Sequence, residues 1–295
     1  MPIRQPLLAG ACALCLAAVS ACSLAGGVLG EGEPAPVLIA VPDWPGGQAN
    51  AAVAAYVLEE KLGIPVERFE ADQEAAWDAL GDGSVQAILE DWGALPEKAE
   101  LYVERKEHVV DAGALGITGH VGWYVPRSFA EEYPEALDWH RLNDFADQLG
   151  GQLLQGDPQF ATRDEAIIED LGLDLRPRAA GSEDALVEEI HRADAYGLPL
   201  LTYFWEPHWL SSQVELAEVE LPGYYPRIEL RKYLNAEFAA DGGEAAAFLR
   251  NFSWTEQDQN AVASLIVHEG LTPAAAAERW VTEHPDTVAS WLRGT

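Results

Sequence analysis

Four tryptophans fall at or beside the ends of short apolar runs. Trp44 follows VLIAV, Trp92 follows VQAIL, Trp123 lies in GWYVP with Tyr124 beside it, and Trp205 closes LPLLTYF. Rings converging from strand ends have a particular use. Their negative π faces attract a cation, and a quaternary ammonium, which has no N–H to donate, is held best by such a cage. Each contact is worth about 0.5 to 2 kcal/mol, so three or four support micromolar binding without a buried counter-charge.

Polar neighbours would set which cation is taken. Asp43, Glu90, Asp91 and Glu206 flank the tryptophans and could add attraction or accept from a hydroxyl. A carboxylate on the same ligand would need donors. The backbone N–H groups of Gly46, Gly47 and Gln48, ahead of a helical run, are suited to this, with His120 or His208 as side-chain donors.

Other chemistries lack their residues. Glu90 and Asp91 are adjacent, so on a strand they face opposite ways and cannot act as a carboxylate pair. No Gly-x-Ser-x-Gly, His-Glu-x-x-His or glycine-rich phosphate loop is present, and the 7 histidines show no metal-ligand spacing. The reading is therefore of a binding protein rather than an enzyme, with no cofactor and no metal. With 18 Lys and Arg against 49 Asp and Glu, the formal charge is −31, which repels phosphate backbones and makes nucleic acid an unsuitable partner.

The elements that must position these rings alternate. Val37–Val41 reads as a buried strand, Ala49–Leu62 as an alanine-rich helix closed by Gly63, Pro65–Phe69 as a strand, Asp72–Leu80 as a helix and Val85–Leu89 as a third strand. That order gives a parallel α/β sheet, in which ligands bind beyond the carboxyl ends of the strands. Farther on, Leu142–Leu149, Asp164–Leu171 and Ser182–Ala193 read as helices and Pro199–Phe204 as a strand. From about Tyr233 the chain reads as mainly helical. Tyr203 and Trp209 read as packing for their own lobe.

The amino terminus reads as an export signal. Arg4 precedes the apolar run Leu7–Val19, and Val19-Ser20-Ala21-Cys22 resembles a bacterial lipobox, with Cys22 as the lipidated first mature residue. Ser23–Pro36 reads as a flexible tether. All 3 cysteines lie at or before Cys22, so the mature domain has no disulfide and no thiolate chemistry.

Taken in order, PDWPGGQANAAVAAYVLEEKLG, GDGSVQAILEDWG, GHVGWYVPRSFAEEYP, TYFWEPHWL and ERWVTEHPDTVASWL resemble the glycine betaine and choline binding proteins of ABC importers. The resemblance implies a type II periplasmic binding fold, with two α/β lobes closing about a hinge on a ligand cleft. It also implies an aromatic cage of Trp44, Trp92 and Trp205, with Trp123 or Tyr124 as fourth wall. Asp43 and His208 are candidate polar contacts, and a membrane ABC permease is the expected partner of a monomeric, lipid-anchored receptor. The expected division is a signal over 1–21, a tether over 22–36, lobe 1 over 37–117 and 215–295, and lobe 2 over 118–214. A tryptophan platform for stacking sugars is the other reading of the same rings.

Overall fold

The computed structural model describes residues 35–157, 160 and 162–295. The expected signal segment, the expected lipidation site Cys22 and most of the expected tether lie outside the described residues. No helix among the described residues is long and apolar enough to cross a membrane. Residues 34–295 form one compact unit.

Among the described residues, nine strands make one sheet, eight of them on a single path. They are β1 (Val37–Val41), β2 (Val66–Glu70), β3 (Ala87–Asp91), β4 (Val109–Pro126), β5 (Gln152–Gln155), β6 (Arg176–Ala179), β7 (Thr202–Glu206), β8 (Leu216–Glu218) and β9 (Ile228–Asn235). The order is β2-β1-β3-β9-β4-β7-β5-β6, with β8 paired to β4. Around β1 the pairing is parallel, as the alternation of strands and helices predicts, while β9 joins antiparallel to both β3 and β4. The two lobes of the fold are the two ends of this path.

The first strand, VLIAV, is nearly all buried, because helices cover both faces of a sheet of this kind. It feeds α1 (Pro45–Leu62), which starts four residues earlier than expected. Pro45 takes the first helical position, where its missing donor costs nothing, and Trp44 is the flanking cap residue. Gly63 ends the helix in the left-handed conformation at φ 67°. The alanines of α1 let the helices Glu256–Val267 and Pro273–Glu283 approach closely, tying the C-terminal region onto the first lobe.

Two strand features escaped the sequence reading. β4 is a single strand of 18 residues, not a short one at its carboxyl end. It pairs with β9 up to Gly119 and with β7 from His120 onward, so it passes from one lobe into the other without a break. Register shifts accompany Gly113 and Gly116, whose φ values of 93° and 95° bend the strand where a side chain would be strained. The second feature is β9, in a stretch expected to lead into helix. Lys232 of β9 is fully enclosed, and its Nζ donates to the carbonyls of Leu249, Arg250 and Phe252 at the end of the helix Gly243–Asn251. These bonds satisfy carbonyls that a helix terminus leaves free. β8 pairs antiparallel with Tyr124–Pro126 of β4.

Candidate ligand-binding site

A cavity of about 500 Å³, within the range that takes small molecules, opens between the lobes. The first lobe contributes Trp44, from the turn between β1 and α1, and Trp92, just beyond β3. The second contributes Trp205 and Tyr203, two residues apart on β7 and hence on one face of it. Phe160 stands edge-on to two of these indoles, its centroid 6.3 Å from Trp44 at 84° and 5.5 Å from Trp205 at 88°. Tyr225 meets Tyr203 at 6.3 Å and 76°. Trp44 and Trp205 are buried, and Trp92 is half-buried.

Behind the indoles lies one carboxylate. Oε1 of Glu90 accepts from Nε1 of both Trp44 and Trp92, each at 2.7 Å, while Oε2 accepts from Nε2 of Gln259 at 2.6 Å and from Nδ2 of Asn50. The Asn50 amide is oriented by its other end, since its Oδ1 takes the indole N–H of Trp254 at 2.8 Å. Burial pushes the Glu90 carboxyl up from its ordinary value, and the four N–H donors pull it down. A proton on either oxygen would point at donors with no lone pair to receive it, so the carboxylate is the form this shell fits. Its charge, directly behind two indole N–H groups, strengthens the negative potential of the ring faces toward a cation.

Glu90 and Trp92 share a face because they are two apart at the end of β3, and Asp91 turns the other way to accept from Trp77 Nε1 at 3.1 Å and Gly93 N at 3.0 Å. Close approach needs a glycine. A Cβ on Gly119 would sit 2.5 Å from Cζ3 of Trp92 and 2.7 Å from Leu230, so the indole lies where only glycine leaves room.

Several expected site residues are placed elsewhere. Trp123 is fully enclosed in the second lobe's core and does not face the cavity. Tyr124, on the opposite face of β4, packs edge-on against Phe204 at 6.2 Å and does not line it either. Both faces of β4 are covered there, and Val121 is the β4 residue that reaches the cavity. Trp123 still bears on the site. Its Nε1 donates to Oδ1 of the buried Asp164 at 2.7 Å, and the same oxygen accepts from the Tyr225 hydroxyl at 2.7 Å. Asp43 is exposed and lines a separate groove with Arg68 and Glu70. His208 is buried with both ring nitrogens engaged, Nδ1 accepting from Leu210 N at 3.1 Å and Nε2 meeting Glu183 at 3.0 Å. His120 is taken up by Glu218 at 2.6 Å. The Gln48 N–H is used inside α1, bonded to Trp44 O at 3.0 Å.

The walls that sequence reasoning missed are Tyr203, Tyr225 and Phe160. Tyr203 was legible, since period two from Trp205 puts it on the same face. Phe160 and Tyr225 come from irregular segments, where no periodicity assigns a side.

The substrate binding domain of ABC-type glycine betaine transport systems matches residues 35–283. The chain belongs to this family. Its members are solute-binding components of ABC transporters, not enzymes. A trimethylamine N-oxide-binding protein of Pelagibacter ubique is 25% identical over 302 residues, covering 90% of this chain and 93% of that one. A glycine betaine/carnitine transport binding protein of Listeria monocytogenes is 30% identical over 115 residues, 38% of each chain. Among solved structures, a lactococcal protein in its closed conformation with glycine betaine superimposes with TM-score 0.75 at 20% identity, over 88% of this chain and 99% of that one. A choline binding protein in complex with choline gives TM-score 0.77 at 19% identity, over 88% and 92%. At these identities the superpositions speak to the fold, which is the two-lobed periplasmic binding protein fold.

Proposed function

We propose that the cavity between the lobes holds the methylated ammonium group of a small osmolyte or nutrient, against Trp44, Trp92 and Trp205. The observation that carries this reading is the convergence of three indoles from both lobes on one cavity, with the Glu90 carboxylate bonded to two of them. Glycine betaine, proline betaine, choline and trimethylamine N-oxide all present the group such a cage takes. The relatives named for glycine betaine, carnitine, choline and trimethylamine N-oxide support the class. The receptor hands its ligand to an ABC permease as a monomer and is held at the outer face of the membrane by lipid on Cys22. Its lobes divide near 119, where β4 changes partner, and between Glu218 and Ile228.

Isothermal titration of the domain beginning after Cys22 tests the reading. Binding of a trimethylammonium compound that weakens sharply when one methyl is lost supports it. Heat with a neutral disaccharide, and none with any methylated ammonium, would mean that the rings are a sugar platform. A Cys22→Ser chain that still partitions with membranes would refute the anchor.

A further inference from the structure

The three cage indoles also border a second, far smaller space of about 10 Å³, enough for one water-sized group. Glu90 and Gln259 of the first lobe face it, and Glu183 of the second. Glu183 opens the helix Glu183–Tyr196 and is only 6% exposed. Its two oxygens differ. Oε1 meets His208 Nε2 at 3.0 Å, while Oε2 is buried without a hydrogen-bond partner among the described residues. Because His208 Nδ1 accepts from the Leu210 N–H, the imidazole carries its proton on Nε2 and donates to Glu183. Buried polar atoms in folded proteins are bonded almost without exception, so an unpartnered oxygen on a side chain that lines a space bounded by the cage indoles marks a place for a ligand atom.

Resting on the proposed cation cage, we propose that Glu183 reads the polar end of the ligand, with Oε2 donating a hydrogen bond to a single ligand oxygen. Two carboxyls, Glu90 and Glu183, face the same small space, and the environment sorts them. Glu90 is saturated with N–H donors and suited to its charge. Glu183 has one donor and a free oxygen, and burial together with the charges of Asp184 and Asp43 raises its pKa well above the usual carboxylate range. His208 adds no positive charge, as burial pushes it down to about 3. Glu183 is thus the member whose surroundings favour the neutral acid, an O–H donor. The oxygen it suits is an acceptor carrying negative charge, as in an N-oxide or a betaine carboxylate.

The test compares trimethylamine N-oxide, glycine betaine and tetramethylammonium on the wild type, Glu183→Ala and Glu183→Gln, by titration calorimetry from pH 6 to 9. Glu183→Ala is expected to weaken at least one of the oxygen-bearing ligands about tenfold, the scale of one lost buried hydrogen bond, and tetramethylammonium less than about twofold. Glu183→Gln, which keeps a donor, is expected to retain affinity for the oxygen-bearing ligands. Equal weakening of all three ligands by Glu183→Ala would reduce the residue to a structural part and overturn the proposal. So would loss of the oxygen-bearing ligands in Glu183→Gln, since Glu183 would then act as a charge or an acceptor. Failure of the wild type to bind any of the three ligands is a different result: it would fail the cage itself, and this inference with it.

Discussion

Trp44 and Trp92, 48 residues apart on separate connections of the first lobe, donate their indole N–H groups to the same oxygen of Glu90, each at 2.7 Å. The hydrogen bond at its edge orients each ring before any ligand arrives. This preorganisation lowers the ordering cost of binding.

Replacing Glu90 with glutamine keeps the shape and removes the charge, and its NH₂ must face N–H donors on one side or the other. Glu90→Gln is expected to lower affinity for a trimethylammonium ligand and to destabilise the fold by about 1 to 3 kcal/mol, the cost of unsatisfied buried donors. Calorimetry and chemical denaturation measure the two effects. Unchanged affinity and stability would show that the four-donor shell has no energetic role.

The tryptophans are expected to separate into two groups. Trp205→Ala should weaken ligand binding by about 1 to 3 kcal/mol while the domain stays folded. Trp123→Phe removes the indole N–H bonded to Asp164 and not a wall, so its expected effect falls on thermal stability, with affinity changed much less. A larger binding loss in Trp123→Phe than in Trp205→Ala would reverse the assignment of walls.

Gly119→Ala tests the packing of Trp92. A methyl 2.5 Å from the ring carbon forces the indole to move, and with it the bond to Glu90. Affinity should fall although no ligand-facing side chain has been changed. A crystal structure of the variant with Trp92 undisplaced and wild-type affinity would contradict this.

The burial of His208 predicts a pH effect of definite sign. Its pKa is depressed to about 3 in the folded protein, against about 6.5 when unfolded. Between those values the unfolded chain binds the extra proton, so the stability held by the neutral imidazole is present above pH 6.5 and is lost as pH falls toward 3. In His208→Gln that loss is absent. The stability gap between wild type and variant should therefore narrow from pH 7 to pH 4.5 in denaturant titrations. Glu183, whose raised pKa acts with the opposite sign, is present in both proteins. A gap that stays constant or widens would contradict the burial of a neutral imidazole.

Much of the fold could be read because β1, α1, β2 and β3 carry their own patterns: short β-branched runs, an alanine-rich helix and a glycine stop. The same local signals placed Trp44, Trp92 and Trp205 at strand ends. What stayed hidden depends on distant partners. β9 reads IELRKYLN, and its lysine looks like a surface residue until the three carbonyls that receive it are in view. Trp123 and Trp205 are indistinguishable by type and setting. The sheet places one against Asp164 in a core and the other on a cleft, and only the pairing of β4 with its neighbours decides which. Glu183 gave no local signal, because its importance lies in a bond it does not make.

The unbroken run of β4 has a mechanical meaning. Two lobes on separate linkers would swing like a hinged box, each free of the other's interior. Here one ribbon carries the ladder of β9 and then that of β7, so drawing Trp92 and Trp205 together must twist a loaded spring. Gly113 and Gly116, where the register of that ribbon is interrupted, lie on the first-lobe side of the crossing and not at the crossing itself.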